Sequence, residues 1–74
     1  MTRKQFLLAL DKLVELPAGT LQGPERLTEL ERWNSMAIVG FIALADTVNR
    51  ATLSVTQIMA CSTVADLLKV VGLD

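Results

Sequence analysis

Ser35 stands in the stretch Trp33-Asn34-Ser35-Met36, where a polar loop gives way to an apolar run, and its hydroxyl is the group in this chain best placed for covalent chemistry. Among its 74 residues there is no histidine and no tyrosine. A Ser-His-Asp or Cys-His nucleophile therefore cannot be assembled, and the usual zinc ligand sets are excluded, so no metal site is expected. Four glycines are too few for a phosphate-cradling loop. Ser35 thus has no general base within the chain, and any chemistry at its oxygen must be catalysed by another protein. It reads as an attachment point rather than a catalytic residue. Cys61, the single cysteine, cannot close an internal disulfide and reads as a small buried or half-buried apolar residue.

An attachment point needs an element to present it. Asn34 and Ser35 are both good N-cap residues, so a helix is expected to open here and to run from Ser35 to about Val48. From Met36 to Ala45 every residue is apolar or glycine, before Asp46, Thr47, Asn49 and Arg50 break the run. That is too short to span a bilayer. Val39, Phe41, Ile42, Ala45 and Val48 make a plausible core face. Ala37, Gly40 and Ala43 form a stripe of small residues three apart, leading down to Asp46 and Thr47. The stripe either accepts the surface of another protein or lets the first helix pack tightly, and spacing alone does not choose between these.

The remaining elements follow from caps and periodicity. Thr2-Arg3-Lys4-Gln5 matches a capping box, and Phe6, Ala9, Leu10, Leu13, Val14 and Leu16 then recur at helical spacing, with Lys4, Asp11, Lys12 and Glu15 on the other side. Pro17 stops this helix. A long connection to Arg32 follows, containing Pro17, Gly19, Gly23 and Pro24; Thr28 and Glu31 suit a capped turn near its end, with Leu27 and Leu30 tucked inward. A connection this long is expected to run the length of a bundle and start the second helix at the far end. Trp33 closes it, either as a hydrophobic staple or as a platform beside Ser35. Ser54-Val55-Thr56-Gln57 opens a short helix, and Thr63 with Asp66 opens a final one carrying Val64, Leu67, Leu68 and Val71 on one stripe, stopped at Gly72.

Strand patterns are absent, and the expected fold is all-α: three main helices, one short one, and a long first loop. Residues 1–74 read as a single domain, since a chain this short does not divide into two cores. An apolar fraction of 51% argues against disorder. A formal charge of -1, with seven scattered basic residues, leaves no footprint for nucleic acid. Asp11 and Lys12 interrupt Phe6–Leu10 too early for a signal-peptide core, and with one cysteine a reducing cytoplasm fits best.

At this point the residues carry a resemblance. Trp33-Asn34-Ser35-Met36-Ala37 resembles the Asp-Ser-Leu motif of acyl carrier proteins, in which the serine at the start of the second helix carries phosphopantetheine. Leu53-Ser54 resembles the entry to that family's short third helix, and Thr63-Val64-Ala65-Asp66-Leu67 resembles the Thr-Val-x-Asp-Leu opening of its last. Helix order, loop length and size agree, so the resemblance spans essentially the whole chain. It implies that Ser35 takes phosphopantetheine from coenzyme A through a separate magnesium-dependent phosphopantetheinyl transferase. The arm's thiol would then hold acyl groups as thioesters for the loading and modifying enzymes of a biosynthetic pathway. It further implies a monomeric carrier whose partners are met by Asn34, Met36, Ala37, Gly40, Ala43, Asp46 and Thr47.

Three departures qualify the match. Asn34 replaces the aspartate that usually precedes the serine. The second helix carries only Asp46 where the family is acidic, so partner contacts should be more apolar. Asn49 falls where the family has a phenylalanine, opening a gap or shifting Val48. Together they point to a specialised lipid or polyketide-type pathway rather than housekeeping fatty-acid synthesis. A short acyl chain is expected either to lodge among Val39, Phe41, Ile58 and Leu67, or to find those residues filling a dry core. The competing reading, kept alive by Asn34, is an unmodified helical interaction module; a small helical enzyme is disfavoured by the missing histidine and tyrosine.

Overall fold

Side-chain caps set the start of each helix in the computed structural model, which describes residues 1–49 and 53–73, with side chains described for 1–48 and 53–73. The elements are α1 (Arg3–Leu13), a 3-10 turn (Leu27–Glu29), α2 (Ser35–Asn49), α3 (Val55–Met59) and α4 (Val64–Val70). The fold is all-α, with no strand among the described residues. Thr2, Ser54 and Thr63 each cap a helix with the hydroxyl accepting from the backbone N–H three residues on, and Gln5, Gln57 and Asp66 reach back to the cap's own N–H. All three capping boxes expected from sequence are formed. They satisfy donors that a helix start otherwise leaves without partners.

Helix ends are closed by a shared device. In α4, the N–H groups of Gly72 and Leu73 donate back to Lys69 and Leu68, with Gly72 in the left-handed region at φ 77. In α1, Glu15 and Leu16 donate in the same pattern to Lys12 and Asp11. The left-handed position there is held by Glu15 at φ 58, a residue with a Cβ to accommodate. So α1 ends at Leu13, before Pro17 can act, and the proline lies out in the loop.

The connection after α1 runs the length of that helix and then doubles back. Asp11, expected on the polar side of α1, is instead buried at 1% exposure. Its Oδ2 accepts from Gly19 N–H at 2.8 Å and its Oδ1 from Leu21 N–H at 2.9 Å, fastening the outgoing limb. Leu21 is buried by this tether. Further on, Arg3 Nη2 donates to Gln22 O at 3.0 Å, beside the start of α1. The returning limb pairs Arg26 with Thr63 in a single antiparallel bridge. Glu25 O and Gly23 O accept from Val64 and Ala65 N–H, capping α4 from outside. By Arg32 the chain is again beside the end of α1, where Arg32 Nε meets the Glu15 carboxylate at 3.1 Å. The second helix therefore starts at the near end, not the far end. The turn within this limb begins two residues earlier than a Thr28 cap would start it, so Thr28 lies inside it; Arg26 precedes it without a side-chain cap.

The core gathers Phe6 and Leu10 of α1 and Val14 just past its end, Ala37, Phe41 and Ala45 of α2, Ile58 of α3, and Val64, Leu67, Leu68 and Val71 at α4. Leu7, not singled out by the spacing, joins it. Phe41 is the hub: the rings of Phe6 and Trp33 meet it edge-on, with centroids 5.9 Å and 6.0 Å away. Trp33 is thus the staple that holds the loop to the helices, and it packs half-buried against the core. Val39 does not belong to the core face, since it is 65% exposed. Asn49 closes α2, but its side chain, and with it the expected gap beside Val48, lies outside the described residues.

Candidate functional site

The start of α2 differs from the other three in which residue does the capping. Asn34 Oδ1 accepts from Ala37 N–H at 3.1 Å, and Asn34 O accepts the first helical bond from Ile38 N–H at 2.9 Å. Asn34 is therefore the N-cap, and Ser35 is the first residue inside the helix. The consequence falls on the hydroxyl. At α1, α3 and α4 the hydroxyl of the capping residue is spent on a backbone N–H. Ser35 is exposed, and among the described residues no group hydrogen-bonds its Oγ.

An apolar groove of about 490 Å³ opens beside it. Trp33, Ser35 and Ile38 form one wall and Val55, Ile58 and Met59 the other, with Cys61 also on the lining. Of the residues expected around a bound chain, only Ile58 reaches this groove; Phe41 and Leu67 are sealed in the core and Val39 faces outward. Those core residues fill a dry interior, as the second sequence reading had it. The groove is the feature that sequence reasoning missed, because its walls come from α2, α3 and the loop together. A larger depression of about 600 Å³ lies between the end of α1 and the returning limb, rimmed by Glu15, Glu29, Glu31 and Arg32. It holds no nucleophile.

Nothing in the groove activates Ser35. The titratable group on its lining is Cys61, and burial, reinforced by the nearby Asp66 carboxylate, pushes that thiol above its usual value. It stays protonated near neutral pH and is a poor nucleophile. Among the described residues, no three His, Cys, Asp or Glu side chains gather to hold a metal ion, and no helix is long and apolar enough to cross a membrane.

The residues expected to meet partners separate into two groups. Ala37 is buried at 4% exposure and belongs to the core, so it cannot form part of a contact surface. Gly40 faces α1: a Cβ built there would sit 2.5 Å from Leu13 Cδ1. These two small residues let α1 and α2 approach closely, which settles their side of the stripe in favour of internal packing. Asn34, Met36, Ala43, Asp46 and Thr47 are exposed, Met36 at 80%. Comparison with known proteins leaves this geometry to speak for itself: no family model, no curated protein and no solved structure matches the chain.

Proposed function

We propose that this protein is a carrier whose Ser35 hydroxyl is modified with phosphopantetheine by a separate transferase, and which presents acyl groups as thioesters on that arm to the enzymes of a specialised biosynthetic pathway. The observation that carries this reading is the division of labour at the start of α2. Asn34 takes the cap, so Ser35 Oγ is left exposed, unclaimed and without a base. That arrangement suits a hydroxyl offered to another enzyme and unsuited to act alone. In the transferase step the Oγ–P bond forms as the pyrophosphate bond of coenzyme A breaks, adenosine 3′,5′-bisphosphate leaves, and the hydroxyl proton passes to a base on the transferase. The arm supplies a thiol for thioester formation, which the chain's own thiol, half-buried and held protonated, does not offer in the open. The groove beside Ser35 gives an apolar wall against which an arm and a short cargo can rest.

The test is incubation with coenzyme A, magnesium and a broad-specificity transferase, followed by intact-protein mass spectrometry. One phosphopantetheine should be added, and Ser35→Ala should abolish the gain while leaving the helical spectrum unchanged. A folded protein that gains no mass with any transferase would instead favour an unmodified helical interaction module.

A further inference from the structure

The side-chain amide of Asn34 is a cap and also an electrophile. The amide carbon of an asparagine can close a five-membered ring with the backbone nitrogen of the next residue, and a small side chain on that residue leaves the approach open. The chain has two asparagines. Asn49 is followed by Arg50, whose long side chain crowds the attacked carbon, whereas Asn34 is followed by the smaller Ser35. We infer that Asn34 is a self-modification site: the Ser35 nitrogen closes on Asn34 Cγ, ammonia leaves, and water opens the resulting imide to aspartate or isoaspartate.

The nucleophile is free to act. Ser35 is the first residue of α2, and among the described residues nothing accepts from its N–H. Ring closure therefore breaks no backbone hydrogen bond. The imide nitrogen lacks its hydrogen as a proline nitrogen does, and a helix tolerates that at its first position. The electrophile is held for attack. Ala37 N–H donates to Asn34 Oδ1 at 3.1 Å, and Oδ1 is the oxygen that gathers negative charge as the nitrogen adds to Cγ. The positive end of α2 favours the same charge. The leaving nitrogen, Nδ2, has no partner among the described residues. Asn34 is exposed and lines the groove beside Ser35 as well as hollows shared with Glu15, Glu31 and Arg32, so water reaches the imide. None of those three charged side chains bonds to Asn34, and Arg32 is paired with Glu15.

The atoms balance as ammonia lost on closing and water gained on opening, the Ser35 N–H proton leaving with the ammonia. Water at Cγ breaks the new N–Cγ bond and gives aspartate, which keeps the cap on Ala37 and adds charge at the positive end of α2. Water at the main-chain carbonyl breaks the original peptide bond and gives isoaspartate, which lengthens the backbone by one atom and loses the cap. Either product sets a negative charge next to the Ser35 hydroxyl. The inference needs only this chain and water, so it stands or falls apart from the carrier reading.

The experiment incubates the folded protein, and the same chain unfolded in guanidinium, in heavy-oxygen water at mildly alkaline pH, with peptide mass spectrometry at intervals. The folded chain should convert at Asn34, taking up one heavy oxygen there, within about tenfold of the unfolded rate, so that the fold adds no more than about 1.4 kcal/mol to the barrier. Ser35→Pro removes the attacking N–H and should stop the conversion, with a circular dichroism melt to establish that it is folded. Ser35→Val keeps the N–H but crowds Cγ, and should slow conversion whether or not the proline variant folds. A folded chain that converts more than about tenfold slower than the unfolded one, or not at all, overturns the inference and makes the cap a protection. Uptake confined to Asn49 overturns it too, as does conversion in Ser35→Pro or Ser35→Val at the parent rate.

Discussion

Asp11 offers the sharpest test of how this fold is held together. Its carboxylate is buried and serves two backbone donors, the N–H of Gly19 at 2.8 Å and that of Leu21 at 2.9 Å. Replacing it by alanine removes both acceptors. Gly19 lies at the surface, so its N–H can turn to water and the loss there sits at the low end, about 1 kcal/mol. The N–H of Leu21 is buried, and leaving it without a partner costs about 1–3 kcal/mol. Asp11→Ala should therefore destabilise by about 2–4 kcal/mol. A 74-residue domain commands roughly 4–11 kcal/mol in total. At a slope near 1 kcal/mol per molar urea, the midpoint should fall by about 2–4 M. Asp11→Asn keeps one acceptor and points an amide donor at the other N–H, so it should fall between alanine and the parent. Hydrogen exchange locates the effect: the amides of Gly19 and Leu21 should lose protection first, ahead of α4. A midpoint moved by less than about 0.5 M would falsify the tether and return Asp11 to the solvated side of α1.

Three further outcomes follow from the packing, the caps and the charges. Gly40→Ala should stay within about 1 kcal/mol of neutral, because better helix propensity offsets a clash with the flexible end of half-buried Leu13, whereas Gly40→Leu should cost about 2–3 kcal/mol in urea unfolding. Glu15→Gly should raise stability by about 0.5–1 kcal/mol in thermal melts: it relieves the left-handed position at φ 58, while the ion pair with Arg32 that it removes is two-thirds exposed and worth little. Burial raises the Glu25 carboxyl, but the N–H groups of Gly23, Glu25 and Gln22 outweigh it and hold the group below its ordinary 4.5; the N–H groups of Ser62 and Thr63 hold Asp66 below 3.8. Carboxyls lowered by folding contribute stability that is complete above these ordinary values and is lost as pH falls through the folded ones. Urea midpoints should accordingly hold steady above about pH 5 and decline below pH 4.5, with a shallower decline in Glu25→Gln and Asp66→Asn.

Local signals in this sequence were legible and long-range ones were not. The capping boxes at Thr2, Ser54 and Thr63, the stripe of α4 and the stop at Gly72 depend on residues within a turn of one another, and all form. Asp11 was misplaced because its partners lie eight and ten residues away in a loop, where no periodicity reports them. The same loop carried no mark of its reversal, which shows only in where it ends up, with Gln22 beside Arg3 at one end of α1 and Arg32 beside Glu15 at the other. At the site, the exposure of Ser35 followed from its place at a helix start, while the choice of Asn34 over Ser35 as cap did not. The groove was invisible because α3 contributes to it from twenty residues downstream.

The face of α2 was the hardest feature to read, and the reason bears on function. From Met36 to Ala45 the helix is apolar or glycine on every side, so hydrophobicity cannot say which side turns inward. Size decides instead. Ala37 and Gly40 let α1 come close, Leu13 occupies the space a side chain at Gly40 would need, and Phe41 enters the core between Phe6 and Trp33. That orientation leaves Met36, Val39 and Ala43 outside. Exposed valine and methionine there contribute little to the core and leave the outer side of α2 apolar. The close approach at Gly40 and the open apolar face at Val39 are thus two results of one packing choice. The same choice orients the first turn of α2 so that Ser35 opens onto the groove and its hydroxyl stays free.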